Sequence, residues 1–183
     1  MSDEFFNYMP FYRYAASIDR FSRYVEVGCY TGASIAFLAA QLLARGAKFE
    51  LWGVDLWEKV KETGYEREVN IDVYNAFVDR LRREGVDRVI TVIKDDSTNA
   101  AKFFEDGSLD FVFVDANHDK PHVKADIAAW LPKMRRGGLL SGHDYGEPCG
   151  VKEAVDEFMA AKQLKFEFEE SSVWWHWKAA HSA

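Results

Sequence analysis

Cysteine is nearly missing from this 183-residue chain: Cys29 and Cys149 are too few for a disulfide framework and lack metal-site spacing, so a reducing cytoplasm is the expected setting. Proline is scarce too, at 4 residues. No Pro/Gly/Ser linker, low-complexity tract or repeat interrupts the chain, and a single domain spanning 1–183 is expected. Positive charge is in deficit, with 23 Lys plus Arg against 30 Asp plus Glu and a formal charge of −7. That balance argues against nucleic acid as a partner and points to a small ligand. Long hydrophobic runs are also lacking. The longest uncharged stretch, Val27 to Ala44, contains Gly28, Tyr30, Thr31, Gly32, Ser34 and Gln41, and reads as strand end, turn and helix, so no membrane association is expected. The first ten residues hold two acids and no base, unlike a secretory signal, and export is not expected.

What is present is a globular composition, 48% apolar and 15% aromatic, rich enough for a sizeable core. Short β-rich apolar runs recur at Tyr24 to Cys29, Glu50 to Leu56, Arg88 to Lys94, Leu109 to Asp115 and Gly138 to Gly142. Between them lie one-sided helical patterns: Ile35, Leu38, Leu42; Val69, Val73, Ala76, Phe77, Leu81; and Val123, Ile127, Trp130, Leu131, Met134. Gly85 can cap the second helix and Pro121 can sit in the first turn of the third. A further helix is predicted from about Val151 to Lys162, then two strands, Lys165 to Glu169 and Ser172 to Lys178, too close for a helix between them and therefore an antiparallel hairpin. Alternating strands and helices predict an α/β fold, a parallel sheet covered on both faces. In such folds ligands bind at the carboxyl ends of the strands.

Each of those ends carries suggestive residues. VEVGCYTG places Gly28 and Gly32 around a strand-to-helix turn where a backbone without Cβ lets a ligand approach, with Glu26 just before it. The spacing is not the dinucleotide pattern, and a plain packing turn is an equal reading. Asp55 closes the second strand where a carboxylate can hold a ribose diol, the alternative being a cap or a solvated strand end. Asp96 and Ser97 can meet an adenine edge or cap a helix. FVDANHDKPH gathers Asp115, Asn117, His118, Asp119 and His122 after an apolar strand, a concentration that favours a reaction centre. GHDY brings His143 and Asp144 to the same edge, and with Asp115 they form a set able to hold a divalent ion such as Mg or Mn, or equally a hydrogen-bonded His–Asp pair.

Taken together, VEVGCYTG, GVDLW, KDDS and the stretch from LDFVFVD to GHDY resemble the class I S-adenosylmethionine-dependent methyltransferases, in their small forms with DxxH and GHDY motifs. The resemblance runs from Tyr24 to about Lys178. It implies a Rossmann-like, doubly wound seven-stranded sheet in the order 3-2-1-4-5-7-6 with the last strand antiparallel. It also implies S-adenosyl-L-methionine as cofactor, with Glu26, Gly28, Tyr30 and Gly32 at the methionine end, Asp55 at the ribose, Asp96 and Ser97 at the adenine, and Asp115 beside the cofactor. The chain is more distantly similar to the catechol O-methyltransferases, which implies a metal on Asp115, His143 and Asp144, although those enzymes have Asp at the 143 position. Their catalytic Lys corresponds to His118, an imidazole suited to general-base work. The implied reaction is methyl transfer to an oxygen of a small-molecule acceptor, such as a secondary metabolite or sugar. Competing readings are a metal-dependent hydrolase or hydroxylase-like enzyme using Asp115, His118, His143 and Asp144, and a non-catalytic nucleoside-binding protein. The aromatic segment 1–20, with Phe5, Phe6, Tyr8, Phe11, Tyr12 and Tyr14, is either a lid or acceptor wall, or packing against the sheet or a partner subunit in a homo-oligomer. Trp57 to Glu66 is expected to form a loop over the site. Trp174, Trp175 and Trp177 are expected in the core or at an oligomer face.

Overall fold

The computed structural model describes residues 6–58 and 72–179. Elements run α1 (Met9–Ser17), β1 (Arg23–Val27), α2 (Ala33–Ala44), β2 (Glu50–Asp55), α3 (Val73–Arg83), β3 (Ile90–Lys94), α4 (Ser97–Ala100) and β4 (Leu109–Val114). They continue with α5 (Lys120–Trp130), β5 (Met134–Gly142), α6 (Val151–Lys162), β6 (Glu167–Phe168) and β7 (Trp174–Trp177). The strands form one seven-stranded sheet in the order β3-β2-β1-β4-β5-β7-β6. β1 to β5 are parallel, and β7 runs antiparallel to both β5 and β6. This is the Rossmann-like methyltransferase architecture expected from the sequence. Among the described residues no helix is long and apolar enough to cross a membrane.

Strand periodicity splits the core into two layers. Tyr24, Phe111, Phe113 and Leu139 face α1, α2 and α3, while Val25, Val27, Val112, Val114 and Leu140 face α4, α5 and α6. Ile35, Leu38 and Leu42 are fully buried along α2, as their spacing predicts. Trp130, also fully buried, fills the second layer against Phe104; a large apolar side chain taken wholly out of water stabilises by roughly 1.5–3 kcal/mol. The last-strand tryptophans divide by face: Trp174 enters the second layer, and Trp175 and Trp177 pack against the first.

Two local expectations differ from the structure. Met134 does not end the third predicted helix; α5 stops at Trp130 and Met134 opens β5 opposite Leu109. Pro132 has no N–H to continue the helical ladder, so only a short 3-10 turn follows α5. The strand predicted over Lys165 to Glu169 pairs only at Glu167 and Phe168, because it lies at the sheet edge with a partner on one side. The aromatic amino-terminal segment is largely helical, and Tyr8, Phe11, Tyr12, Ala15 and Ala16 are buried in the first layer. It is packing against the sheet. Phe5, Val69 and most of the loop expected over Trp57 to Glu66 lie outside the described residues.

Candidate active site

The carboxyl edge of the sheet is organised around Gly28, which leaves β1 with a φ of 88°. A Cβ on Gly28 would land on the carbonyl of Asp115, so β1 and β4 approach this closely only with glycine here. That approach is tied by Asp115 N–H donating to Val27 O at 2.7 Å, and on the other side Gly28 N–H donates to Val54 O of β2 at 2.8 Å. Beyond it the chain turns through Tyr30 and Gly32, both at positive φ, into the start of α2.

Asp55 fastens that turn. Its Oδ2 accepts from the N–H of Cys29 at 2.8 Å and of Tyr30 at 2.9 Å, and its Oδ1 accepts from the N–H of Trp57 at 2.7 Å. The Trp57 indole closes the loop by donating to Tyr30 O at 2.9 Å. Burial pushes the Asp55 carboxyl upward, and the backbone N–H groups oppose it. Asp55 therefore sits at the expected strand end with much of its acceptor capacity spent on the turn.

Glu26 lies on the α1-facing side of β1 with no exposed surface. Its two oxygens accept from Ser34 Oγ and Tyr12 Oη, each at 2.6 Å. Burial pushes this carboxyl up to about 8, against those two hydrogen bonds, which favour the charged form. Tyr8 donates to Asp115 Oδ2 at 3.0 Å and stacks on Phe113. The amino-terminal tyrosines thus reach two of the candidate site carboxylates, a role that the sequence reading of this segment as aromatic bulk did not assign. The available signal was Glu26 itself, an acid in an otherwise apolar strand that needs donors once buried.

At the ends of β4 and β5, Asp144 lies between two imidazoles. His118 Nε2 is 2.8 Å from Asp144 Oδ2 and 3.7 Å from Asp115 Oδ1, and His143 Nδ1 is 3.1 Å from Asp144 Oδ1. Burial alone would raise the Asp144 carboxyl, but hydrogen bonds from both histidines outweigh it and hold it well below the usual carboxylate range. The other nitrogen of His143 is also engaged, Nε2 lying 3.0 Å from Asn7 Oδ1 and 3.1 Å from the carbonyl of Ser171. The compact donor set is consequently Asp115, His118 and Asp144, with ligand atoms within 4.8 Å of one another. His118 occupies the place in that set that the resemblance gave to His143. Side-chain exposures of 19%, 22% and 16% leave these three reachable from solvent. The loop carrying His118 is held by Gly150 N–H donating to His118 O at 3.0 Å.

At the end of β3, Asp96 is the N-cap of α4, accepting from Thr98 N–H at 2.9 Å and Thr98 Oγ1 at 2.6 Å. The Thr98 hydroxyl in particular holds the Asp96 carboxyl below its ordinary range. Ser97 Oγ accepts from the Trp130 indole at 3.0 Å and bonds to buried Asp126, whose carboxyl is pushed by burial to about 6. The structure brings Glu26, Gly28, Asp55, Asp115, His118 and Asp144 to one edge, whereas the side chains of Asp96 and Ser97 are engaged in capping and in contacts to α5.

Residues 25–145 match the model of a family described as "Methyltransferase domain". The uncharacterized protein y4gI of Sinorhizobium fredii is 27% identical over 135 residues, covering 74% of this chain but only 14% of that protein's length. Among solved structures, the O-methyltransferase NovP superposes with a TM-score of 0.75 at 14% identity, covering 94% of this chain and 79% of NovP. The O-methyltransferase TomG of Streptomyces achromogenes, involved in tomaymycin synthesis and solved with SAM, gives 0.67 at 14% identity, covering 94% and 79%. An rRNA methylase of Streptococcus thermophilus gives 0.65 at 16% identity, covering 93% and 95%, so the shared fold does not select the acceptor. The match over 25–145, which takes in the Gly28 turn, Asp55, Asp115, His118 and Asp144, means that this chain belongs to the methyltransferase-domain family, with the class I architecture of S-adenosylmethionine-dependent enzymes.

Proposed function

We propose that this chain moves a methyl group from S-adenosylmethionine to an oxygen of a small-molecule acceptor, with His118 as general base. The observation that carries this reading is the 2.8 Å pairing of His118 Nε2 with Asp144 Oδ2, next to Asp115 and opposite the Gly28 turn. The protein's acidic charge and its structural likeness to two O-methyltransferases support a small acceptor over a polyanion.

The residues present suit the cofactor. Gly28 lets β1 and the Asp115 backbone meet at the strand ends where a class I cofactor is expected, and Glu26 underlies that turn by accepting from Ser34 at the start of α2. Asp55 can reach a ribose diol only with the acceptor capacity left by its three amide contacts, so its first contribution is to hold the turn in shape. When bound, S-adenosylmethionine supplies a methyl group already activated on a sulfonium. What remains for the chain is to align the acceptor and take its proton. Asp144, kept charged, accepts from His118 Nε2 and so orients the imidazole beside Asp115.

A second reading rests on the same donors: Asp115, His118 and Asp144 lie close enough to hold a divalent ion, which would lower the pKa of an acceptor hydroxyl. The two readings use His118 Nε2 differently, as a protonated partner of Asp144 or as a ligand atom. Titrating metal-stripped protein with S-adenosylhomocysteine, with and without Mn²⁺, and then assaying S-adenosylhomocysteine release over a panel of hydroxylated acceptors, separates them. The expected outcome is binding near ~1–10 µM without metal. His118→Asn should keep that affinity while turnover falls by about 10²–10⁴. Turnover that survives in His118→Asn would overturn the base assignment. Activity abolished by chelation and restored by Mn²⁺ would replace it with the metal reading. No affinity for S-adenosylhomocysteine under any condition would remove both.

A further inference from the structure

The geometry points to a second binding site, on a different face of α1 from Tyr8 and Tyr12, for a small organic cation. A groove of about 400 Å³ runs between α1 and the β6–β7 edge of the sheet, lined by Phe11, Tyr14, Trp175, Trp177, Glu167 and Glu169. That volume lies in the range of small-molecule sites.

Register explains why these six residues converge. Glu167 pairs with Trp175 across β6 and β7, so their side chains share one face, and Trp177 and Glu169 follow on that face two residues along. On α1, Phe11 and Tyr14 are three apart and share a helix side. Phe11 packs 5.6 Å from the Trp175 ring, closing the inner end of the groove, while Tyr14 is 50% exposed at its mouth.

The lining selects the chemistry. Two carboxylates sit among ring faces, and among the described residues neither forms an ion pair; Glu169 is oriented by accepting from Ser171 Oγ at 2.7 Å. An anion would be repelled, a neutral apolar ligand would strip water from the carboxylates without replacing it, and a hydrated metal ion would leave the rings unused. An ammonium or guanidinium carrying apolar substituents uses both, through charge and through attraction to the aromatic faces. Trp177 already shows the second property, since the Arg20 guanidinium lies 5.5 Å from its ring. The net charge of −7 enriches cations around the whole molecule.

The test follows the indole N–H signals of Trp175 and Trp177 by NMR, assigned with Trp175→Phe and Trp177→Phe, during titration with choline. The neutral control is 3,3-dimethylbutan-1-ol, the carbon isostere of choline. Butylammonium and methylguanidinium are parallel arms, and their ranking against choline tells a methylated ammonium from a basic side-chain head. Both indole signals should shift saturably with at least one cation, and the neutral isostere should bind at least about tenfold more weakly. The Glu167→Gln/Glu169→Gln double variant should weaken the cation by at least about threefold and leave S-adenosylhomocysteine binding unchanged, which separates this site from the methyl-transfer reading. Equal shifts from the isostere, or full affinity in the double variant, would overturn the proposal. Signals that ignore every cation but move on protein dilution would overturn it too, by showing that a second copy of the chain covers the groove.

Discussion

Glu26 is a wholly buried carboxyl in the first strand of the sheet, and its electrostatics reach the stability of the whole protein. Its carboxyl is raised to about 8 by burial, so between pH 4.5 and 8 the folded protein holds a proton that the unfolded chain has released. Stability from this group is therefore fully present below the unfolded value and is lost as pH rises toward 8, at up to about 1.4 kcal/mol per pH unit. Asp126, raised to about 6, contributes in the same sense but finishes earlier, and His143, raised by its carboxylate neighbours against burial, adds a fall of the same sign above 6.5 that a substitution at Glu26 leaves in place. For a chain of this length that slope is about 3–5 °C of Tm per pH unit. Glu26→Gln, which keeps an acceptor for Tyr12 or Ser34, should flatten the wild-type fall in Tm between pH 6.5 and 8; parallel slopes in scanning calorimetry would contradict the assignment. The place of His118 at this edge was legible because the residue stands three places after Asp115 in a loop crowded with polar groups. What stayed illegible was geometry: nothing in GHDY says that His143 turns toward Asn7 and Ser171, more than 20 residues away on either side, while Asp144 turns toward His118.

The β1-to-α2 connection is the element on which the edge depends, and its sequence announced it through two glycines. Gly28 is required twice over, once for a φ of 88° and once because a Cβ would overlap the Asp115 carbonyl, backbone that cannot swing aside. Gly28→Ala should therefore cost about 3 kcal/mol or more, lowering Tm by roughly 6–12 °C. Gly85→Ala, equally at positive φ but with open space around it, gives the control for conformation alone and should cost about 1 kcal/mol. Similar losses in urea titrations of the two variants would show that steric overlap at Gly28 contributes nothing. Interior strands were readable because burial on both faces makes them short continuous apolar runs, and α2 because its buried residues recur at helical spacing. Elements at the margins were not: α1 has a buried stripe, Phe11, Tyr12, Ala15 and Ala16, but it lies within a run of aromatics whose density hides the period. β6 is short because edge position, a property of the whole sheet, limits its pairing.

At the scale of the molecule, charge is arranged along the strands. The carboxyl edge gathers Asp55, Asp96, Asp115 and Asp144, whereas Arg20, Arg23 and Arg135 lie around the opposite end, where Arg23 pairs with Glu50 and Arg135 with Asp110. Arg80, Arg82 and Arg83 sit in the last turn of α3, just before the chain enters β3. A phosphate backbone approaching the site would meet carboxylates first and would release few counterions in exchange. On the proposed reading, charge discriminates against a polyanionic acceptor where the fold, like that of an rRNA methylase, cannot. A fluorescein-labelled RNA hairpin in 150 mM KCl should give no rise in anisotropy up to about 100 µM protein, the weak end of non-specific nucleic-acid binding. Saturable binding tighter than about 10 µM, weakening steeply as salt increases, would show instead that the arginines of α3 outweigh the acidic edge, and the small-molecule reading of the acceptor would fall with it.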